Sequence, residues 1–374
     1  MRDVVEIGKG RSATTAYSLR DISIVPSRRT RDQEDVSTAW QIDAFRFDIP
    51  LVATPSDATM SPASIAEVNR LGGLGVLNGE GLWSRYEDPQ AIYAWLAALS
   101  DQPEVNQAQM LQEAYAAPVD IDLLIRRVKE LREGGGTVAV RLSPQNAATY
   151  ADAVVAAGVD LLVIQGTVVS AEFVTTEGEP LNLKTYVSSL DVPVIVGGCT
   201  DYQTALHLMR TGAAGVIVGY GADPTTTTGD VLGIGVPMAT AIAEAAAARR
   251  DYLDETGGRY VHVIADGEIS TSGDLAKALA CGADAVMLGR PLRVARETPA
   301  SGRWWHTAAA HPKLPRGILD GAVPQDQGLA EVFFGPAVSP TGETNLFGAL
   351  RRVMAKSGYR DLKEFQKVGL VVGG

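Results

Sequence analysis

Eight short runs of apolar residues recur along the chain, each followed by a stretch with helical spacing. This rhythm limits the fold more than any other feature. The runs are Pro50–Thr54, Gly73–Asn78, Thr137–Leu142, Asp160–Gln165, Val192–Gly197, Ala214–Gly219, Val261–Asp266 and Asp284–Gly289. Most are continuously apolar rather than alternating, the pattern of strands buried on both faces of a parallel sheet. Helical patterns stand between them, among them Thr204–Thr211 and Gly273–Cys281, the latter with Ser272 as its expected N-cap. Eight strands that each lead toward a helix are what a closed α/β barrel, a (β/α)8 TIM barrel, requires. The 374 residues suit one such barrel with insertions, spanning 1–374.

Two stretches exceed a bare barrel. Residues 80–135 hold two helical patterns, Ala91–Leu99 and Ile121–Arg132. Residues 297–345 are rich in Gly, Pro and Trp with weak periodicity, and two readings are open. One is a flap over the strand ends, the other a surface excursion packed on a neighbouring subunit. Trp304 and Trp305 accordingly read either as interface anchors or as buried flap residues. Asn345–Ala355 and Leu362–Gln366 read as closing helices.

Composition excludes several classes. A net charge of −11 argues against unaided binding to nucleic acid or an anionic membrane. No apolar run approaches the roughly 20 residues that span a bilayer. The two cysteines, Cys199 and Cys281, form no disulfide framework, and neither His pairs nor CxxC motifs point to zinc or iron. A cytoplasmic protein is the expectation.

In such barrels the working residues lie at the C-terminal ends of strands. Those ends supply Thr54-Pro55-Ser56-Asp57, Asn78-Gly79-Glu80, Gln165-Gly166-Thr167, Gly197-Gly198-Cys199, the loop Gly219–Thr228, Asp266-Gly267-Glu268 and Gly289-Arg290. Gly267 and Gly289 would let backbone N–H groups approach a phosphate, Arg290 would add a bidentate partner, and Asp266 would hold a ribose. The alternative is that the glycines only make tight turns and Asp266 caps the next helix.

These residues also resemble a known family. Residues 262–289, HVIADGEISTSGDLAKALACGADAVMLG, are similar to the A-D-G-G-I-x-x-S-G-D-I-x-K-A-L-A-x-G-A-x-x-V-M-L-G block of the IMP dehydrogenase/GMP reductase family. Residues 17–26 (YSLRDISIVP), 49–61 (IPLVATPSDATMS), 71–78 (LGGLGVLN) and 345–365 resemble further family segments. The loop Gly219–Thr228 resembles the catalytic loop G-x-G-P-G-S-x-C-T-T. The resemblance implies a (β/α)8 barrel, here of the short branch without CBS modules, that oxidises IMP to XMP with NAD in the pathway to GMP. It also implies a homotetramer and a monovalent cation, K+.

By the same resemblance, Thr54, Ser56, Asp266, Gly267 and Gly289 would bind the purine nucleotide, which is IMP, XMP or GMP, and Arg290, standing where the family has a Ser, would join them by its strand-end position. Gly219, Gly221, Thr228 and Gln165 would face the cofactor. The carbonyls of Gly221, Asp223 and Thr226 would hold the cation. The catalytic positions would be Thr226 and Arg316.

The departures from the family pattern are chemical. Thr226 stands where the family has its nucleophilic cysteine, and a hydroxyl needs a strong base where a thiol ionises near neutral pH. Gln165 replaces the acid expected to grip the cofactor ribose. Glu268 replaces the second Gly of D-G-G and places a charge near the phosphate position, with Arg290 as its expected ion-pair partner. Arg316, in Pro315-Arg316-Gly317, lacks the tyrosine of the family's Arg-Tyr pair. Four functions therefore stay open: an IMP dehydrogenase-like oxidoreductase, a GMP reductase-type enzyme, a purine-nucleotide-binding regulatory barrel without turnover, and a barrel redirected to another ligand.

Overall fold

The computed structural model describes residues 3–100, 106–171 and 182–373. The eight expected runs all become parallel strands of one sheet: β1 (Leu51–Ala53), β2 (Val76–Asn78), β3 (Ala139–Leu142), β4 (Leu161–Gln165), β5 (Val194–Cys199), β6 (Gly215–Ala222), β7 (His262–Gly267) and β8 (Ala285–Leu288). Each strand pairs with the next in sequence from β2 to β8, and β8 pairs with β1. The seam between β1 and β2 is closed at Leu74. Its carbonyl accepts the Ala53 N–H at 2.8 Å, and its own N–H reaches the Leu51 carbonyl at 2.9 Å. The result is a closed (β/α)8 TIM barrel, in which no strand edge is left unpaired.

Helices α1 (Pro62–Arg70), α2 (Ile121–Glu133), α3 (Ala147–Ala156), α4 (Leu183–Ser189), α5 (Tyr202–Arg210), α6 (Met238–Glu255), α7 (Ser272–Ala280) and α8 (Leu346–Lys356) follow the strands in turn. Their starts are set by capping side chains: Ser61 on α1, Asp120 on α2, Asp201 on α5. The cap of α7 lies one residue earlier than expected. Thr271, not Ser272, accepts the Asp274 N–H, and the Asp274 carboxylate answers at the Thr271 N–H to complete a capping box. Among the described residues no helix is long and apolar enough to cross a membrane.

The N-terminal end of the barrel is stoppered by the hairpin Trp40–Ile42/Phe45–Phe47, with Ile42 fully buried against the start of β6. Beside it the buried carboxylate of Asp284 draws in Arg249 (2.6 Å), Lys363 (2.5 Å), the Tyr260 hydroxyl (2.8 Å) and the Val263 N–H (2.9 Å). This cluster ties α6, β7, β8 and the C-terminal helix Leu362–Phe365 together.

At the other end the two insertions build a second hydrophobic core. Tyr93, Leu96, Met110 and Leu111, from the helices Gln90–Ser100 and Gln107–Ala114, pack against Trp304, Trp305, Ala309 and Leu319. The stretch from Ala300 to Leu319 therefore lies across the strand ends. The Ser56 hydroxyl donates to the Trp305 carbonyl at 2.7 Å, and the Ile318 N–H donates to the Thr225 carbonyl at 2.9 Å. The two tryptophans, 2% and 1% exposed, are interior residues of their own chain.

Burial pushes the Asp284 carboxyl up, but Arg249 and Lys363 outweigh it and hold the group well below the usual carboxylate range. Its stabilising contribution is therefore present above the unfolded value near 4 and is lost as pH falls toward the folded one. Asp284→Asn strands a buried guanidinium and is expected to cost about 3 kcal/mol in urea unfolding at pH 7. It should also flatten the acid limb of the stability profile.

Candidate functional site

The candidate site is the C-terminal mouth of the barrel. Alternation along the strands turns Thr54, Gln165, Asp266 and Met287 inward, and β6 runs on past the rim as the loop beginning at Gly219. Thr54, Gly221, Asp223, Asp266, Gly267, Gly289 and Arg290 then surround one cavity. Seven expected site residues, from four different strand ends, thus converge.

The loop is held by Asp223. Its Oδ1 accepts the Thr225 N–H (2.6 Å), the Thr225 hydroxyl (2.5 Å) and the Thr226 N–H (3.1 Å). The Thr226 hydroxyl donates to the Gly221 carbonyl at 2.7 Å, with Asp223 Oδ1 at 3.3 Å. Thr226 is thus a stitch in its own loop. Neither cysteine offers a substitute. Cys199 is 1% exposed, its Sγ lies 3.4 Å from the Ile217 carbonyl, and burial pushes its thiol up to about 12. Burial raises Cys281, the C-cap residue of α7, to about 12 as well. Both are protonated at neutral pH.

The flap enters the mouth through Trp304, one of whose two open readings was a buried flap residue, and through His306, to which the sequence assigned no role. The indole N–H of Trp304 donates to Asp223 Oδ2 at 2.9 Å and to the Thr225 hydroxyl at 3.1 Å. Its ring edge lies on Gly289, where a Cβ would meet Cη2 at 2.1 Å. Gly289 therefore makes room for an indole. In the same way a Cβ on Gly221 would meet His306 Nε2 at 2.4 Å. His306 Nδ1 accepts the Ala308 N–H at 3.2 Å, so the neutral ring carries its proton on Nε2, facing the mouth. Burial lowers its pKa to about 4 against the pull of Asp223, with Arg141 and Arg316 adding to the lowering. The cavity left between these groups measures about 30 Å³, room for a water molecule or two.

The remaining expected residues stand apart from a ligand in this arrangement. Ser56 is committed to Trp305. Gln165 donates its amide to Asp266 Oδ2 at 3.0 Å. Gly219 packs on the Asp266 carbonyl, and Thr228 is buried with its hydroxyl unpartnered. Arg316 reaches the Thr167 hydroxyl at 2.8 Å, over the end of β4. The expected Arg290–Glu268 pair does not form. Arg290 pairs with Asp320 at 2.9 Å, and Arg293 joins the same carboxylate. Glu268, at φ 57°, turns its carboxylate away to accept the Leu19 N–H (3.0 Å) and the Met238 N–H (3.3 Å) at the start of α6. The charge near the phosphate position is thereby withdrawn from the pocket.

Two further groups had no role assigned to them from the sequence, although Asp57 stands in the first strand-end set. Arg141 on β3 points inward, donates to the Gln165 carbonyl at 2.7 Å and leaves its Nε unpartnered. An arginine inside the run Val138–Leu142 was the available signal. Asp57 is fully buried and takes Tyr115 (2.7 Å), Asn78 (3.0 Å) and the Leu82 N–H (2.9 Å), while Trp305 donates to Tyr115 at 3.0 Å. This chain of bonds joins β1, the first insertion and the flap. Among the described residues no group of three or more His, Cys, Asp or Glu side chains gathers to hold a metal ion.

The comparisons agree with this architecture. A family model described as the IMP dehydrogenase / GMP reductase domain matches residues 16–322. An uncharacterized oxidoreductase of Mycobacterium tuberculosis is 63% identical over 375 residues, covering 99% of this chain and all of its own. An inosine-5′-monophosphate dehydrogenase of Aquifex aeolicus is 33% identical over 247 residues, 58% of this chain and 45% of its own. The crystal structure of an IMP dehydrogenase/GMP reductase-like protein from Corynebacterium glutamicum superposes with a TM-score of 0.94 at 53% identity, covering 99% of this chain and 98% of that one. The chain belongs to the IMP dehydrogenase/GMP reductase family, a family of oxidoreductases.

Asp266 gives a direct test of the mouth's electrostatics. Burial, reinforced by Asp223 and only partly offset by the Gln165 amide, raises it from 3.8 to about 7. The folded state then holds a proton that the unfolded chain releases near pH 4, so stability should fall as pH rises from about 4 through 7. The expected slope approaches about 1 kcal/mol per pH unit between 5 and 6.5, and Asp266→Asn should remove it. Urea titrations at stepped pH measure both.

Proposed function

We propose that this member of the family binds a purine nucleoside 5′-monophosphate across the barrel mouth and holds it without thiolate-based turnover. Asp266 would take the ribose hydroxyls. Gly267, Gly289 and Arg290 would take the phosphate, and Thr54 would lie beside it. The observation that carries the reading is the state of Thr226. Its hydroxyl is spent on the Gly221 carbonyl, and Asp223, the nearest carboxylate, is already saturated by the loop's own donors. A hydroxyl so placed has no base to ionise it and cannot form the covalent adduct a thiolate forms.

The finer family chemistry, IMP to XMP with NAD, also needs room for nicotinamide beside Gly219, Gly221 and Thr228. The residues do not fit NAD as arranged, because His306 covers Gly221 and Gln165 is bonded to Asp266. The cation is in the same position. The carbonyls of Gly221 and Asp223 accept the Thr226 hydroxyl and N–H, which supplies from within the loop what a K+ ion would supply from outside. The GMP reductase reading needs the same nucleophile and fails on the same residue.

Calorimetry with IMP and a spectrophotometric assay for NADH from IMP and NAD test the proposal together. Wild-type protein is expected to bind IMP, and Asp266→Ala is expected to lose binding while keeping its melting transition. NADH production is expected to stay at the level of the Asp266→Ala control. Turnover present in the wild type and absent from Asp266→Ala would contradict the proposal and establish a dehydrogenase that works without a loop cysteine.

A further inference from the structure

Resting on the nucleotide reading, we infer that the segment Arg303–His306 is a displaceable internal plug. Trp304 occupies the phosphate end of the mouth, and a nucleotide binds only by exchanging places with it.

The geometry supports exchange. The segment covers positions a nucleotide would need: the Trp304 ring edge rests on Gly289, its N–H takes Asp223 and Thr225 beside the cavity, and the Trp305 carbonyl takes Ser56. His306 closes the neighbouring space over Gly221. The cavity that remains is lined by Asp266, Gly267, Ser270 and Arg290, a set of polar groups far larger than a water or two requires. A nucleotide and the plug therefore cannot be present together.

The energetics support displacement over a permanent filling. The plug belongs to the small core built by the two insertions, which is separate from the barrel core. It can leave the mouth without opening the barrel. Its polar hold on the mouth is the Trp304 N–H, shared between Asp223 and Thr225, and the Trp305 carbonyl, which accepts the Ser56 hydroxyl. The closed form also leaves buried polar atoms without partners around the mouth, among them Thr228 Oγ1, Arg141 Nε and Arg316 Nε. Each such atom carries a desolvation cost that a permanent core avoids and a bound polar ligand can relieve. Leu314 and Ile318, on the outer side of the flap, are substantially exposed, so the closed flap is incompletely covered. Apparent affinity for the nucleotide is then the intrinsic affinity reduced by the fraction of molecules that are open.

The test compares IMP binding by calorimetry for wild type, Trp304→Ala and Trp304→Phe, alongside tryptophan emission of the wild type during IMP titration. Trp304→Ala is expected to bind IMP at least about tenfold more tightly, the shift that a closed state favoured by that factor imposes. Trp304→Phe, which loses the indole N–H but keeps a ring, should fall between the two. Wild-type emission should move to longer wavelength with IMP as Trp304 meets solvent, and Trp304→Phe should lose that change. Equal affinities with unmoved emission would overturn the plug and leave nucleotide binding standing. Absence of IMP binding in wild type and both variants would overturn the nucleotide reading and the plug with it. Should Trp304→Ala fail to fold, the wild-type emission and Trp304→Phe decide the matter.

Discussion

The contact between the Trp304 indole and the paired surfaces of Gly289 and Asp223 organises the functional end of this molecule. Gly289 has no Cβ, so the ring edge can lie directly against the end of β8. Asp223 offers one carboxylate oxygen to the indole and the other to the loop that follows β6. A single side chain thereby fixes the flap, sets the loop's conformation and leaves Thr226 stitched to Gly221. The cavity at the mouth owes its size to that arrangement. The same strand ends without the indole would present Thr54, Asp266, Gly267 and Arg290 to solvent as an open polar cleft.

Two separate cores make this possible. The barrel is held by its apolar strands, by the hairpin around Ile42 and by the Asp284 cluster, none of which involves the flap. The cap is held by the aromatic residues of the insertions and by the hydrogen-bonded line from Asp57 through Tyr115 to Trp305. Rigid scaffold and separable cap are the usual division of labour in barrel enzymes, where loops carry function on a stable frame. Burial of acids within the mouth follows from the cap. Asp266 shares a closed space with Asp223, and its proton is retained to about neutral pH for that reason.

The frame was legible in the sequence because continuous apolar runs have a single economical use, strands buried on both faces. All eight appear where the runs lie, and the strand-end rule placed Thr54, Gly221, Asp223, Asp266, Gly267, Gly289 and Arg290 around one cavity. The partners of charged residues were not legible. Arg290 and Glu268 follow adjacent strands, yet Asp320 reaches Arg290 from the flap, while Glu268 is drawn to the free N–H groups of Leu19 and Met238. The glycines misled in a particular way. A glycine at a phosphate-loop position and one that admits a tryptophan read identically, and only the fold of an aperiodic segment tells them apart. Trp304 and His306 carry no periodic or spacing signal, so the sequence left Trp304 open between flap and interface and gave His306 no role.

The mouth, as proposed, is a nucleotide site presently filled by the chain's own tryptophan. A crystal structure of the wild-type protein grown with IMP tests it most directly. The expected density is a nucleotide with its phosphate at Gly267 and Gly289, its ribose on Asp266, and Trp304 withdrawn from Gly289. A nucleotide bound elsewhere, or an unliganded mouth with Trp304 still seated on Gly289 at saturating IMP, would contradict it.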